Sequence, residues 1–338
     1  MKRNDTSEKE SRTHNSTFAI GGVSCSADSF EVAESFVLRI KFSGKNPAHR
    51  KSAKRYAQYF KDMKAKTSDI IKKCATTFLI ALLFISCGHQ KKDFKLTTSF
   101  VDHDTNRLQI FTGGEGKNTV VFESGLGVDG STWLESGIFD TIGQNDQVIA
   151  YDRQGYGKSS SPADTRGMQA LVNDLDFIIS KTGINEKVII VSHSLGGAIA
   201  RAYAIQHPDK VKALLFIEPN NENFKQYATM PQAHEDTLVQ QFMAEKMKGA
   251  AMEAAQLIEN VDFLRELPTL PNIPIIVITS TKTDSEMTEE LLVDWSLAHQ
   301  SLGKGITNFT QIKTNKSGHF VYLEDPNLVI DNIRKLLE

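Results

Sequence analysis

Between residues 95 and 338, short and continuously apolar runs alternate with segments of helical period. This alternation restricts the fold more than any other feature of the chain. "NTVVFES", "DQVIAYD", "KVIIVSH", "ALLFIEP" and "IPIIVITS" have strand length, and "MQALVNDLDFIISKTG", "GGAIARAYAIQHPDKV" and "EMTEELLVDWSLAHQSLG" fall between or after them as helices. Strands that are apolar on both sides need cover on both faces, so the pattern predicts a mainly parallel sheet between helical layers. "KLTTSFVDHD" and "RLQIFTGG" instead alternate apolar and polar residues, and predict an antiparallel hairpin at the sheet edge. "STWLESGIFDTIG" predicts one helix, and "PNLVIDNIRKLLE" a final helix opened by its proline. The stretch from "ALLFIEP" to "IPIIVITS", about 50 residues without a strand signal, is too long for an ordinary connection. Residues 219–270 are expected to form a helical cap over the C-terminal edge of the strands, where open α/β sheets bind ligands.

The chain ahead of this region differs in character. Residues 1–62 hold 12 Lys/Arg against 7 Asp/Glu and lack periodicity, which reads as a disordered extension. Residues 63–87 pass from a basic stretch through the apolar run Cys74–Ile85 to Ser86 and Cys87. A charged start followed by a short apolar segment is a secretory pattern, and the run is too short to span a bilayer. The ending "FISC" before "GHQKKD" resembles a bacterial lipoprotein signal, which implies lipidation of Cys87, membrane attachment and a place in the cell envelope; a cytoplasmic protein is the alternative. Under that reading translation starts at Met63, and residues 88–338 form the working domain. Cys25, Cys74 and Cys87 are the only cysteines, so no disulfide framework and no cysteine metal site is expected. Residues 88–338 carry 33 acidic against 23 basic side chains, which argues against nucleic-acid binding.

Within the domain, "KVIIV" runs into Ser192-His193-Ser194-Leu195-Gly196-Gly197 and then into an alanine-rich helix. Small residues around a serine at a strand-to-helix turn are what a nucleophile elbow requires, because the turn is tight and strained. The helix that follows points its N-terminal dipole at the serine.

Four stretches, "VVFESGLG", "YDRQGYGKSS", "SHSLGG" and "SGHFVYLEDP", together resemble the α/β-hydrolase superfamily of serine esterases, lipases and proline-iminopeptidase-like enzymes. The resemblance covers 95–338. It implies a mostly parallel eight-stranded sheet with helices on both faces, the cap inserted after strand six, and no metal or organic cofactor. It also implies Ser194 as nucleophile, His319 as general base, and an oxyanion hole made by the Leu126 and Leu195 amides. Ser124-Gly125 stands where the family often has His-Gly; backbone amides do the work there, so the hole is retained.

The acid has two candidates. The family usually places it after the seventh strand, where "PIIVITSTKTD" offers Asp284, one residue past the usual register. Some members place it after the sixth strand, where this chain has Glu218 in "LLFIEPN". Asp152 is expected to bond loop amides and to pair with Arg153. His193 is expected to pack beside the elbow, and His89, His103, His207, His234 and His299 to be structural.

The expected reaction is hydrolysis of a carboxylic ester, thioester or amide on a small acyl substrate. Serine at the elbow argues against the chemistry of epoxide hydrolases and haloalkane dehalogenases, which needs a carboxylate nucleophile. Phe224, Tyr227, Met230, Phe242 and Met243 either line an apolar pocket or pack the cap itself. An aminopeptidase would need Glu222, Glu235 or Asp236 for the substrate amine. The other class is a non-catalytic binding protein on the same fold.

Overall fold

The apolar runs pair as one eight-stranded sheet in the order β1-β2-β4-β3-β5-β6-β7-β8. The strands are β1 (Thr97–His103), β2 (Asn106–Gly113), β3 (Thr119–Glu123), β4 (Gln147–Tyr151), β5 (Val188–His193), β6 (Val211–Ile217), β7 (Ile275–Ser280) and β8 (Phe309–Thr314). The structure, a computed structural model, describes residues 94–338 except 104–105, 165, 184–185 and 286. The expectations for residues 1–62, for the signal at 63–87 and for Cys87 lie outside the described residues. β2 is antiparallel to β1 and β4, and every other pair is parallel, as the hairpin signal and the apolar runs require.

Successive strand residues feed two separate cores, which is why these runs are apolar throughout. Val121, Ile190, Leu214 and Val277 pack with Leu171, Leu175, Ile199 and Tyr203 on one face. Val120, Val191, Leu215 and Ile278 pack with Trp133, Phe139, Val329 and Ile333 on the other. Each fully buried Val, Leu, Ile or Phe contributes about 1.5–3 kcal/mol relative to exposure, so an unpaired charge placed in either core would be strongly destabilising.

The helices are α1 (Ser131–Glu135), α2 (Ile138–Gly143), α3 (Met168–Lys181) and α4 (Leu195–Gln206), then α5 (Lys225–Ala228), α6 (Gln232–Ala244), α7 (Lys248–Ala254) and α8 (Leu257–Arg265), and finally α9 (Glu289–Ser301), α10 (Val321–Glu324) and α11 (Pro326–Leu337). The single helix expected at "STWLESGIFDTIG" is two. Gly137 takes φ 74°, a left-handed conformation that stops α1 and redirects the chain into α2. α11 begins at its proline, with the Asp325 carboxylate accepting the Leu328 amide as an N-cap. Helices α5 to α8 fill the long insertion between β6 and β7. Among the described residues no helix is long and apolar enough to cross a membrane.

Candidate active site

The turn from β5 into α4 puts Ser194 at φ 53° and ψ −120°, where an L-residue is strained. Hydrogen bonds over-determine this conformation: the Ser194 amide donates to Ile217 O (3.1 Å), and its carbonyl accepts from the amides of Gly197 (2.9 Å) and Asn220 (3.0 Å). The two glycines after Leu195 are steric requirements. A Cβ on Gly196 would lie 2.5 Å from Ser124 O, and one on Gly197 would lie 2.5 Å from Pro219 Cβ. Strain held this firmly is characteristic of functional sites. Only two other non-glycine residues among those described have positive φ, and one of them is Glu218 (φ 50°).

Glu218 follows β6 and turns its carboxylate into the protein, where it is 4% exposed. Oε1 accepts from the Ser280 amide (2.6 Å), and the Trp295 indole donates to both oxygens (3.1 and 3.2 Å). Oε2 faces Nδ1 of His319 at 3.4 Å. Asp284, the first candidate for this position, is placed elsewhere. Beyond β7 the Thr281 amide pairs with Thr314 O, so the chain follows β8 outward. The exposed Asp284 carboxylate there accepts the Met287 amide of its own loop (2.8 Å). The carboxylate on His319 is that of Glu218, because the left-handed turn at Glu218 faces the imidazole while the β7 loop leads away from it.

His193 is buried beside the elbow, as expected. Burial, followed by the neighbouring His319, holds it neutral with its pKa well below the usual histidine value. Its Nε2 lies 3.0 Å from His319 O, and its ring centroid is 4.6 Å from that of His319. A neutral His193 donating from Nε2 therefore fixes the backbone that carries His319. Ser194 Oγ donates to Asn220 Oδ1 (3.3 Å) rather than to the imidazole.

The Ser124–Gly127 loop runs against the elbow: a Cβ on Gly125 would meet His193 Nδ1 at 2.7 Å and Ser194 Cβ at 3.2 Å. No hydrogen bond among the described residues uses the Leu126 or Leu195 amide. Beneath the loop lies Arg153, 2% exposed. Its Nη1 donates to Ser124 O (2.6 Å) and Glu123 Oε1 (2.9 Å), and its Nη2 to Gly125 O (2.8 Å). Glu253 from α7 takes Nε (2.7 Å) and Nη2 (2.9 Å). Arg153 thus pairs with Glu123 and Glu253. The expected pairing with Asp152 is not formed, because that carboxylate is used by the Gly130 and Lys158 amides (3.0 and 3.2 Å).

One guanidinium cannot neutralise two buried carboxylates. Burial raises Glu123 from 4.5 to about 7, against the opposing attraction of Arg153 and the Tyr151 hydroxyl. The folded chain then binds a proton at Glu123 between about pH 4.5 and 7 that the unfolded chain releases. Stability attributable to this group therefore falls as pH rises through that window, by about 3 kcal/mol for a shift of this size. Urea unfolding at pH 4.5 and 7.5 should show the wild type losing more stability than Glu123→Gln, in which Asp152, raised by burial to about 6, still titrates; parallel pH profiles would refute it.

A cavity of about 20 Å³, lined among others by Leu195, Asn220, Tyr227, Met230, Leu257 and Asn260, opens beside the elbow. It has room for roughly one water-sized group. Of the apolar cap residues, Tyr227 and Met230 reach it. Phe224 packs on Trp295 (4.8 Å between centroids), Phe242 on Gly127, and Met243 is exposed. Glu222 is taken bidentately by Arg201, and Glu235 by the Ile258 amide and Gln232. Asp236 is exposed and bonded to Gln232. His299 is structural, bridging Thr279 and Pro219 O. Asn220 and Glu253 carry no sequence signal for a place at this site; Arg153 stands in the "YDRQGYGKSS" stretch, where the sequence pairs it only with Asp152. Among the described residues there is no cluster of three or more side chains able to hold a metal ion.

Comparison with known proteins agrees with the fold. The family model described as "alpha/beta hydrolase fold" matches residues 118–244. An esterase from Thermogutta terrifontis superposes with a TM-score of 0.54 at 17% identity, over 72% of this chain and 98% of that one. A structure titled a putative lipase from Acinetobacter baumannii superposes with a TM-score of 0.52 at 20% identity, over 72% and 91%. In sequence, the uncharacterized protein YbdG of Bacillus subtilis is 25% identical over 55% of this chain, and the match spans about half of YbdG, 53%. The human (lyso)-N-acylphosphatidylethanolamine lipase is 28% identical over 40% of this chain and 36% of its own length.

Proposed function

On a chain with the α/β-hydrolase fold, we propose a serine hydrolase that cleaves a carboxylic ester, thioester or amide through an acyl-enzyme on Ser194. The observation that carries the reading is the buried Glu218 paired with His319 beside a serine held in a strained turn. Ser194 Oγ attacks the substrate carbonyl carbon while His319 Nε2 takes its proton. Glu218 accepts Nδ1–H, which fixes that tautomer and stabilises the imidazolium. The carbonyl oxygen, now an oxyanion, is met by the Leu126 amide of the loop after β3 and the Leu195 amide at the start of α4. His319 returns the proton to the leaving group, and water then releases the acid by the same steps in reverse. To reach His319, Ser194 Oγ leaves Asn220 Oδ1 by a side-chain rotation; catalytic hydrogen bonds commonly form only once substrate is bound.

The names of the superposed esterase and lipase support ester cleavage. The small cavity favours short acyl groups. Glu222 and Glu235, two of the cap carboxylates an aminopeptidase would need for the substrate amine, are engaged by Arg201 and by the Ile258 amide and Gln232, which disfavours aminopeptidase action. A fluorophosphonate probe is expected to label the protein once, on the peptide that contains Ser194. Acetyl and propionyl p-nitrophenyl esters should then be cleaved at least about tenfold faster (kcat/KM) than the octanoyl ester, an effect of about 1.4 kcal/mol. Aminoacyl-arylamides should be poor substrates. A protein that neither labels nor turns over any ester is instead a binding protein on this fold.

A further inference from the structure

We propose that Glu253, carried by the cap, acts through Arg153 as a positioning residue for the oxyanion hole, so that a seated cap is what aims the Leu126 amide. The inference rests on the reading above that Ser194 forms an acyl-enzyme. The Gly125–Leu126 peptide is planar and trans, so its C=O and N–H point in opposite directions. Arg153 Nη2 holds that carbonyl at 2.8 Å, and Nη1 holds the preceding carbonyl, Ser124 O, at 2.6 Å. Fixing Gly125 O on the guanidinium therefore turns the Leu126 N–H away from Arg153.

The guanidinium is in turn placed from the cap. Glu253 grips Nε and Nη2 on its far side, at 2.7 and 2.9 Å. The Tyr156 hydroxyl donates to Glu253 Oε2 (2.7 Å) and accepts from the Gly127 amide (3.2 Å), which latches the next residue of the same loop to the same carboxylate. The cap meets the loop a second time, since a Cβ on Gly127 would lie 3.2 Å from the Phe242 ring. Arg153, Glu253 and Glu123 are all essentially removed from solvent. Burying an ionic cluster is costly and gives little net stability over an apolar filling, whereas its fork geometry orients what it touches. An arginine that spends two of its donors on consecutive loop carbonyls is suited to orientation.

The test compares full-length wild type, Glu253→Gln, Arg153→Lys and Tyr156→Phe, with Ser194→Ala as reference. Fluorophosphonate titration counts competent sites, and kcat is expressed per titrated site. Glu253→Gln keeps the side chain's shape but can accept only one of the two Arg153 donors, and Arg153→Lys keeps the charge without the fork. Each is expected to lower kcat per titrated site by about 10–100-fold, short of the 10²–10³ for losing a hole donor outright. KM should stay within about twofold, and affinity for a boronic acid that mimics the tetrahedral species should fall by the same factor as kcat. A purely structural role would reduce the number of titrated sites and leave kcat per site unchanged, and that result overturns the proposal. If the two charged-cluster variants do not accumulate, Tyr156→Phe decides: a loss of several-fold per site supports the proposal, and wild-type turnover overturns it. Wild-type turnover that survives in Ser194→Ala would instead refute the acyl-enzyme reading on which the proposal stands.

Discussion

Ser194→Ala is expected to lower kcat by at least about 10³-fold on every substrate the wild type cleaves, with the far-UV spectrum and unfolding midpoint little changed. The fold should persist because the turn is held through backbone groups: the Ser194 amide and carbonyl make its three main-chain bonds, and the hydroxyl contributes only the long contact to Asn220. Alanine keeps the small Cβ that the packing against Gly125 allows. His319→Ala should be comparably damaging, and the double variant little worse than either, because nucleophile and base act in one step. Steady-state kinetics on the best short-chain ester decide this. Retention of more than about a tenth of activity in Ser194→Ala, a loss under 1.4 kcal/mol, would remove Ser194 from the mechanism.

Glu218→Gln should produce the second large loss, about 10²–10⁴-fold in kcat, while Asp284→Asn stays within about twofold. Glu218 is the carboxylate on His319 Nδ1, and its other contacts, from the Ser280 amide and the Trp295 indole, present the second oxygen to the imidazole. A glutamine here offers either an amide N–H to Nδ1, which selects the wrong tautomer, or an oxygen without the charge that stabilises imidazolium. Asp284 sits in an exposed loop and accepts from Met287. Equal and mild losses in the two variants would mean that neither carboxylate orients His319.

The architecture was largely legible because strand and helix periodicity is local. A buried parallel strand must be apolar on both faces, and the five apolar runs from "NTVVFES" to "IPIIVITS" could satisfy nothing else. The elbow was legible for the same reason: a strained serine turn needs small neighbours, and Gly196 and Gly197 are adjacent to it in sequence. The break at Gly137 was hidden because a glycine inside a helical pattern marks a break only when the backbone takes positive φ there.

Sequence by itself therefore determined the parallel sheet, the inserted helices and the tight small-residue turn at Ser194, and put His319 between the last strand and the final helix. Tertiary structure alone decided which carboxylate meets that histidine and which carboxylates hold Arg153. Glu218 and His319 are brought together by a left-handed turn after β6 and the divergence of the β7 loop, neither of which leaves a periodic trace. Arg153 and Glu253 lie 100 residues apart, and their partnership exists because α7 packs over the β4 loop. Periodicity records which face of an element is buried; the partner of a buried charge is fixed by where the chain returns, and that is a property of the folded chain.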